Sequence, residues 1–187
     1  MANLTLKATP RLGGRNHRVG DNRIVERSDI ALHAIGFATE EKPAIEGALV
    51  EVFGIAWPTS KVATCAGEAR ALFLSPDQLL LVREGVDLDQ RHSLPKFEAV
   101  GYPTNQSDVW VVCEVMGPDV LAALERMCAV DLDPAVFSLG SYARTLMMHL
   151  SVIIVRHADD GFLLICPSAA AESFWHDIVL SFEWVQP

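Results

Sequence analysis

The sequence lacks any apolar run long enough to cross a membrane, which takes about 20 apolar residues in a helix. Its most apolar window, LMMHLSVIIV at residues 146–155, contains His149 and Ser151. Residues 1–23 carry basic side chains but no apolar stretch of the kind found in a secretory signal. We therefore expect a cytoplasmic protein with no membrane contact.

Closely spaced cysteine pairs and the common catalytic motifs are also missing. The cysteines, at positions 65, 113, 128 and 166, form no CxxC pair, which excludes a zinc knuckle and a thioredoxin-type redox site. GxSxG, GxxxxGK[ST] and HExxH are absent too, so no hydrolase nucleophile, phosphate-binding loop or zinc-protease motif is present. We therefore predict no catalytic, cofactor-binding or metal-binding residue, and we expect the cysteines to be reduced and structural.

The residues that bind metals elsewhere are dispersed in this sequence. His149 and His157 are expected on one extended strand, about 26 Å apart, which is too far for a shared metal ion. Asp131 and Asp133 are candidates for a hard cation, but two carboxylates in a loop more often stabilise turns and caps. Trp184 lies near the chain end, where little structure covers it, and is expected at an interface.

The sequence does have apolar residues in excess. Half of its 187 residues are hydrophobic, 21% are charged, and the mean hydropathy is +0.24. This composition excludes a disordered chain, which combines low hydrophobicity with high net charge. A chain of 20.5 kDa can build a substantial core, and we expect the remaining apolar surface to meet a partner.

Charge is distributed unevenly along the chain. Residues 1–28 have a formal charge of +4, whereas residues 29–187 have −13. This pattern predicts a basic N-terminal arm, residues 1–28, that packs against an acidic partner subunit or against the chain's own body. The alternative for this segment is a solvated tail. Nucleic acid is a weaker alternative, because the arm has no aromatic residues for base stacking and the acidic remainder repels phosphate.

Hydrophobic periodicity predicts the element order β-α-β-β-α twice, with a period of about 80 residues. The predicted elements are a strand at 29–37, a helix from Thr39 to a Gly54 cap with Ile45, Leu49, Val52 and Phe53 on one face, a loop at 59–67, a hairpin at 69–82 and a helix at 87–98; then a strand at 109–115, a helix opened by Gly117 and Pro118, a β-rich stretch at 142–157, a turn at 159–161, a strand at 162–166 and a helix at 169–182. The predicted fold is α+β, with two ferredoxin-like halves, residues 29–100 and 105–187, in one globular domain at 29–187.

Several short strings, in order along the chain, resemble the sarcosine oxidase gamma subunit family. They are GIAWP at 54–58, ALFLSPDQLLL at 71–81, QSD at 106–108, GP at 117–118, Cys128 with DLDP at 131–134, FSLG at 137–140, ARTL at 143–146 and SFW at 173–175. The resemblance spans about residues 45–180. Ser75, Leu79 and Tyr142 stand where the family usually has Gly, Trp and Cys.

The resemblance implies a subunit of heterotetrameric sarcosine oxidase. That complex demethylates sarcosine oxidatively to glycine and transfers the one-carbon unit to tetrahydrofolate. The resemblance implies that the complete complex binds FAD, FMN, NAD, zinc and tetrahydrofolate. It implies that this chain alone binds none of them. The implied partners are the alpha, beta and delta subunits. This chain is then expected to be a structural subunit without catalytic residues, with the folate-binding fold of aminomethyltransferases.

Two alternatives keep much of this interpretation. The complex could act on N-methylglutamate or another N-methyl amino acid, because nothing in this chain is expected to contact the substrate. The chain could instead be a small folate-binding protein of the aminomethyltransferase type, in which Asp108 or Glu114 would bind the pterin.

Overall fold

The computed structural model describes residues 9–86 and 94–186 and contains two antiparallel sheets with helices on their outer faces. The strands are β1 (Asn16–Val19), β2 (Asn22–Glu26), β3 (Ala31–Gly36), β4 (Thr64–Ala66), β5 (Ala69–Ser75), β6 (Gln78–Arg83), β7 (Tyr102–Asn105), β8 (Trp110–Met116), β9 (Tyr142–Met147), β10 (Leu150–Ala158) and β11 (Gly161–Pro167). The α-helices are α1 (Lys42–Phe53), α2 (Pro95–Glu98), α3 (Val120–Glu125) and α4 (Ala171–Trp184). Short 3-10 turns precede α1 and α4.

The two sheets repeat one connectivity. The strand order is β4-β5-β6-β3-β7 in the first sheet and β1-β2-β8-β11-β10-β9 in the second. The series β3-α1-β4-β5-β6-α2 therefore matches β8-α3-β9-β10-β11-α4, which confirms the predicted α+β fold with duplicated halves. Each of these two series contains four strands, whereas the periodicity indicated three. Strand β7 extends the first sheet, and β1 and β2 extend the second.

Three layers of apolar side chains hold the sheets and helices together. The central layer lies between the two sheets and includes Leu80 and Val82 of the first sheet and Ile153 and Val155 of the second. The outer layers lie between each sheet and its helices. Strands β10 and β11 are buried on both faces, which explains why their sequences are continuous apolar runs and do not alternate.

Part of the predicted N-terminal arm is built into the second sheet. Residues 16–26 form the β1–β2 hairpin, and β2 pairs with β8 in antiparallel register. Asn22 is fully buried there; its amide nitrogen donates to Val19 O and to Asp119 Oδ2, and Asp119 N donates to its oxygen. The density of basic residues concealed this hairpin from sequence analysis. Arg15 lies 2.7 Å from Glu172, so the chain's own body supplies the partner for that cation.

The β-rich stretch at residues 142–157 is two strands and not one. Met148 and His149 form the turn between β9 and β10, and both have positive φ, 47° and 72°. A turn of this kind usually carries Asn or Gly, so Met-His gave no signal in the sequence. His149 is therefore in a turn and His157 on β10, and the predicted arrangement of both on one strand was wrong.

Other predicted boundaries differ by a few residues. The predicted loop at residues 59–67 contains β4, and α3 begins at Val120 after Asp119 and not at Pro118. The buried face of α1 is Ile45, Ala48 and Leu49, whereas Val52 is 41% exposed. Gly54 ends α1 with φ +68°, as predicted. Of the helix predicted at 87–98, the part at 87–93 lies outside the described residues.

Candidate functional site

Arg27 is at the centre of a cluster of ion pairs between the two sheets. Its guanidinium donates to Asp29 at 2.7 and 2.8 Å, to Glu114 at 2.9 Å and to Glu84 at 3.1 Å. Arg70 Nη2 lies 3.4 Å from the second oxygen of Glu84. Only 18% of the Arg27 side chain is exposed, so these charges are largely withdrawn from water. We call Arg27, Asp29, Arg70, Glu84, Glu114 and His157 the inter-sheet ion cluster.

Strand geometry places these charges on the face that lines the central core. On β8, Glu114 follows the central-core residue Val112 by two positions, and side chains two apart share a face of a strand. Glu84 lies one residue beyond the end of β6, two positions after the central-core residue Val82. Strand β6 belongs to the first sheet and β8 to the second. Because Arg27 bonds both carboxylates, the cluster ties the two sheets together at one end of the core.

The pKa shifts of the cluster indicate which of its members are charged. The hydrogen bond from Arg27 lowers the pKa of Asp29, and the same bond raises the pKa of Arg27 despite its burial. Burial lowers the pKa of His157 below its ordinary value, although Glu114 opposes this shift. His157 Nε2 lies 3.3 Å from Glu114 Oε1 without hydrogen-bond geometry. At neutral pH Arg27 and Asp29 are therefore charged and His157 is neutral.

The lowered pKa of His157 predicts a loss of stability at mildly acidic pH. The unfolded chain binds a proton on His157 below the ordinary pKa of 6.5, whereas the folded chain resists protonation until its lower pKa is reached. The free energy of unfolding should fall as the pH drops through this window, by up to about 1.4 kcal/mol per pH unit. Denaturant unfolding at a series of pH values measures this slope.

Two variants isolate the contribution of that histidine. His157→Gln should flatten the slope between pH 7 and pH 5, whereas His149→Gln, in the exposed β9–β10 turn, should retain it. The Asp29 carboxyl contributes its own loss only at lower pH, below its ordinary pKa of 3.8. An unchanged slope in His157→Gln would show that the assignment is wrong.

A cleft of about 380 Å³ opens beside the inter-sheet ion cluster, between β8 and β3. Its polar lining includes Arg11, Glu26, Arg27, Ser107 and Asp108. Glu26 accepts hydrogen bonds from the backbone nitrogens of Leu12 and Gly14, at 2.8 and 2.6 Å, so its carboxylate already holds the N-terminal loop in place. Asp108 is exposed at the cleft. The cleft has the size of a small-molecule pocket.

The two residues nominated for pterin binding lie in different surroundings. Asp108 lines the cleft, whereas Glu114 points into the inter-sheet ion cluster and bonds Arg27. Arg27 borders both places. Glu114 is therefore already paired, and of the two nominated carboxylates it is Asp108 that faces the cleft.

The other residues of types that bind metals form no metal site within the described residues. In the part of the chain that the structure describes, no group of three or more His, Cys, Asp or Glu residues has the geometry to hold a metal ion. Asp131 Oδ1 accepts the backbone N–H of Asp133, and Asp133 Oδ1 accepts that of Ala135. Both carboxylates therefore stabilise turns, which is the role that the sequence favours for Asp131 and Asp133.

All four cysteines are free thiols. Cys113 and Cys166 lie in the fully buried layer between the second sheet and its helices, as their apolar strand sequences predict. A hydrogen bond with Cys166, together with burial, raises the pKa of Cys113 well above its ordinary value. With its pKa raised in this way, the Cys113 thiol does not readily form the reactive thiolate.

Across residues 9–86 and 94–186, no helix has the length and apolarity to cross a bilayer.

Sequence reasoning did not nominate Arg27, Arg70 or Glu84, and it considered His157 only as a possible metal ligand. A signal was present, because Arg70 and Glu114 interrupt strands that are otherwise apolar, and a charge inside such a strand is expected to find a partner. The partners come from segments distant in sequence, so only the fold identifies them.

The arrangement of two antiparallel sheets with outer helices is similar to that of aminomethyltransferases. The crystal structure of the glycine cleavage system aminomethyltransferase T from Bartonella henselae matches with a TM-score of 0.54 and 12% identity. The match covers 82% of this chain and 44% of that chain. The chain thus has an α+β fold similar to that of this aminomethyltransferase.

A chain of the heterotetrameric sarcosine oxidase from Corynebacterium sp. U-96, in complex with pyrrole 2-carboxylate, matches with a TM-score of 0.73 and 18% identity. That match covers 88% of this chain and 86% of the other. The profile of the sarcosine oxidase, gamma subunit family matches residues 37–181, and the chain belongs to this family. No curated protein sequence matches the chain.

Proposed function

We propose that this chain is a non-catalytic gamma subunit of a heterotetrameric sarcosine oxidase in the cytoplasm. The assembly demethylates sarcosine oxidatively to glycine and passes the one-carbon unit to tetrahydrofolate. The alpha, beta and delta subunits are its partners and hold the FAD, FMN, NAD, zinc and folate. The observation that carries this proposal is the family match over residues 37–181, which includes both sheets and all four described α-helices in whole or in part.

The chemistry of the chain supports a structural role. The buried carboxylates are engaged in holding the fold: Glu26 binds the N-terminal loop, and Glu84 and Glu114 bind Arg27. His157 is neutral and wedged beside Glu114. Glu84 and Glu114 stabilise the contact between the sheets through Arg27, and a role for them in proton transfer would require breaking these ion pairs.

Coexpression with the other subunits of the oxidase tests the proposal. A tagged copy of this chain should retain the three other subunits through purification, and the complex should oxidise sarcosine. The purified chain alone should neither oxidise sarcosine nor bind flavin. Turnover of sarcosine by the isolated chain, or failure to retain the other subunits, would contradict the proposal. Assay of the complex with N-methylglutamate in place of sarcosine decides between the two amino-acid substrates.

The cleft beside Asp108 favours one second candidate, a folate-binding role. Its volume of about 380 Å³ is within the range of small-molecule pockets, and Asp108 offers an accessible carboxylate acceptor. Titration of the chain with tetrahydrofolate tests this candidate, with Asp108→Asn as the variant and Asp77→Asn, on the exposed β5–β6 turn, as the control. Micromolar binding that Asp108→Asn alone weakens would favour the folate-binding role.

A further inference from the structure

An apolar surface with a small cavity lies at the C-terminal half of α4. Met148, Leu180 and Trp184 surround the cavity and are 44%, 40% and 67% exposed. The cavity measures about 110 Å³, and Met127, which is 5% exposed, is also part of its lining. We call Met148, Leu180 and Trp184 with this cavity the α4 surface.

Helix geometry presents this surface outward while the other side of α4 is buried. Phe174, Ile178 and Phe182 pack into the outer core, whereas Leu180 and Trp184, four residues apart, share the opposite side. Ser181 Oγ donates to the carbonyl of Ala123 at 2.7 Å and fixes α4 against α3. The wall of the cavity formed by α4 is therefore held in place by buried contacts.

The backbone at Met148 is unusual for the side chain that it carries. Its φ of +47° lies in the left-handed region, which is unfavourable for a residue with a Cβ. Glycine or asparagine would form this turn more easily. Met148 N donates to Met127 O at 3.2 Å, which anchors the turn beside the cavity. Methionine at this position places a flexible apolar side chain at the edge of the α4 surface.

The size and composition of the surface fit a protein partner. A volume of about 110 Å³ is below the roughly 300–1,000 Å³ of small-molecule pockets, so the cavity suits one inserted side chain. The Arg126 guanidinium lies 5.8 Å from the centre of the Trp184 ring, and Trp184 is nevertheless 67% exposed. Exposed Trp and Arg beside a pocket are the residue types that dominate binding energy in protein interfaces.

The charges around the surface indicate the nature of the partner. Arg126 and Asp177 both line the cavity, and Glu125 and Glu183, next to Arg126 and Trp184 in the sequence, are exposed, so that carboxylates outnumber the Arg126 guanidinium there. A second copy would present the same acidic border, which opposes a symmetric dimer through this surface. A complementary partner carries basic residues around an apolar side chain.

We propose that the α4 surface is the docking site for another subunit of the oxidase, which inserts one apolar side chain, flanked by basic residues, beside Trp184. This proposal rests on the proposed function, because it assumes an assembly of several subunits. It names the face of the chain that the assembly covers.

Substitution of Trp184 in the coexpressed complex tests the proposal. Wild-type and variant chains with different tags compete for the other subunits in one cell, and their ratio in the purified complex is measured. Trp184→Ala should reduce incorporation at least about tenfold, as expected for an interface residue of this type. Tyr102→Ala is the matched control, because Tyr102 is an aromatic residue 72% exposed on β7 of the other sheet, and should compete equally.

A charge reversal and a folding measurement complete the test. Glu183→Lys should also compete poorly, and added salt during assembly in vitro should reduce its disadvantage. Thermal unfolding of the purified variants checks that they fold; Trp184→Ala should unfold close to the wild-type temperature because its ring is mostly exposed.

The outcomes separate this proposal from the proposed function. If wild-type chain retains the other subunits and Trp184→Ala competes equally, the α4 surface is not the docking site although the subunit role stands. If wild-type chain retains no other subunit, the proposed function itself fails. Self-association of the isolated chain that Trp184→Ala abolishes would assign the surface to a second copy and overturn the proposal.

Discussion

Arg27→Met should lower the free energy of unfolding by about 2–4 kcal/mol. The substitution keeps the unbranched apolar stem of the side chain but removes the guanidinium, which leaves Glu84 and Glu114, in the space between the sheets, without their shared partner. An unpaired carboxylate withdrawn from water is costly. The expected loss is below that of a fully buried pair because Asp29 is 49% exposed and can be solvated. Equilibrium denaturant unfolding at pH 7 measures the change.

Two further variants define the origin of this loss. Lys96→Met removes a surface ion pair with Glu51, in which both side chains are more than 60% exposed, and should cost less than about 1 kcal/mol. Adding Glu114→Gln to Arg27→Met should recover part of the lost stability, since the carboxylate left unpaired becomes neutral. Equal costs for Arg27→Met and Lys96→Met would contradict a structural role for the inter-sheet ion cluster.

Gly117→Ala should destabilise the protein by about 2–5 kcal/mol through two effects, backbone strain and overpacking. Gly117 has a φ of +136°, which side chains rarely allow. A Cβ there would lie 2.4 Å from Asn22 Oδ1 and 2.7 Å from Asn22 Cα. Because the second contact is with backbone, rotation of the Asn22 side chain cannot relieve it. Denaturant unfolding measures the loss, and amide hydrogen exchange should show faster exchange in β2.

Gly67→Ala is the matched control for that substitution. Gly67 also has a positive φ, +55°, but a Cβ at this position would meet nothing within 4 Å. It should therefore show the cost of the left-handed backbone alone, about 1–2 kcal/mol. A Gly117→Ala variant no less stable than Gly67→Ala would show that β2 can move away from β8 at little cost.

The features that local sequence predicts well are those governed by neighbouring residues. The β5–β6 hairpin followed from Ser75, Pro76 and Asp77 between two apolar runs, and the end of α1 followed from Gly54. The turn at Met148 and His149 did not, because its conformation is held by the hydrogen bond to Met127 and not by a turn-forming residue. The β1–β2 hairpin was missed for a related reason, since its stability comes from pairing with β8.

The candidate sites divide in the same way. The interface role suggested for Trp184 followed from a large aromatic residue near the chain end, and the structure adds its companions Leu180 and Met148, which come from different elements. Asp108 was nominated as a carboxylate beside a strand, and the cleft next to it appears only when β3 and β8 face each other. Glu114 was nominated on the same grounds, but its carboxylate is already paired with Arg27.

The amino-acid sequence by itself determined the family, the duplicated α+β pattern and the excess of apolar surface, because ordered motifs, hydrophobic periodicity and composition are local or additive properties. Only the tertiary structure decided which charges meet between the sheets, that residues 16–26 extend the second sheet, and which exposed apolar residues form one surface. Those features depend on contacts between segments far apart in the chain, such as Arg27 with Glu114 and Met148 with Met127, and such contacts exist only once the two sheets have packed.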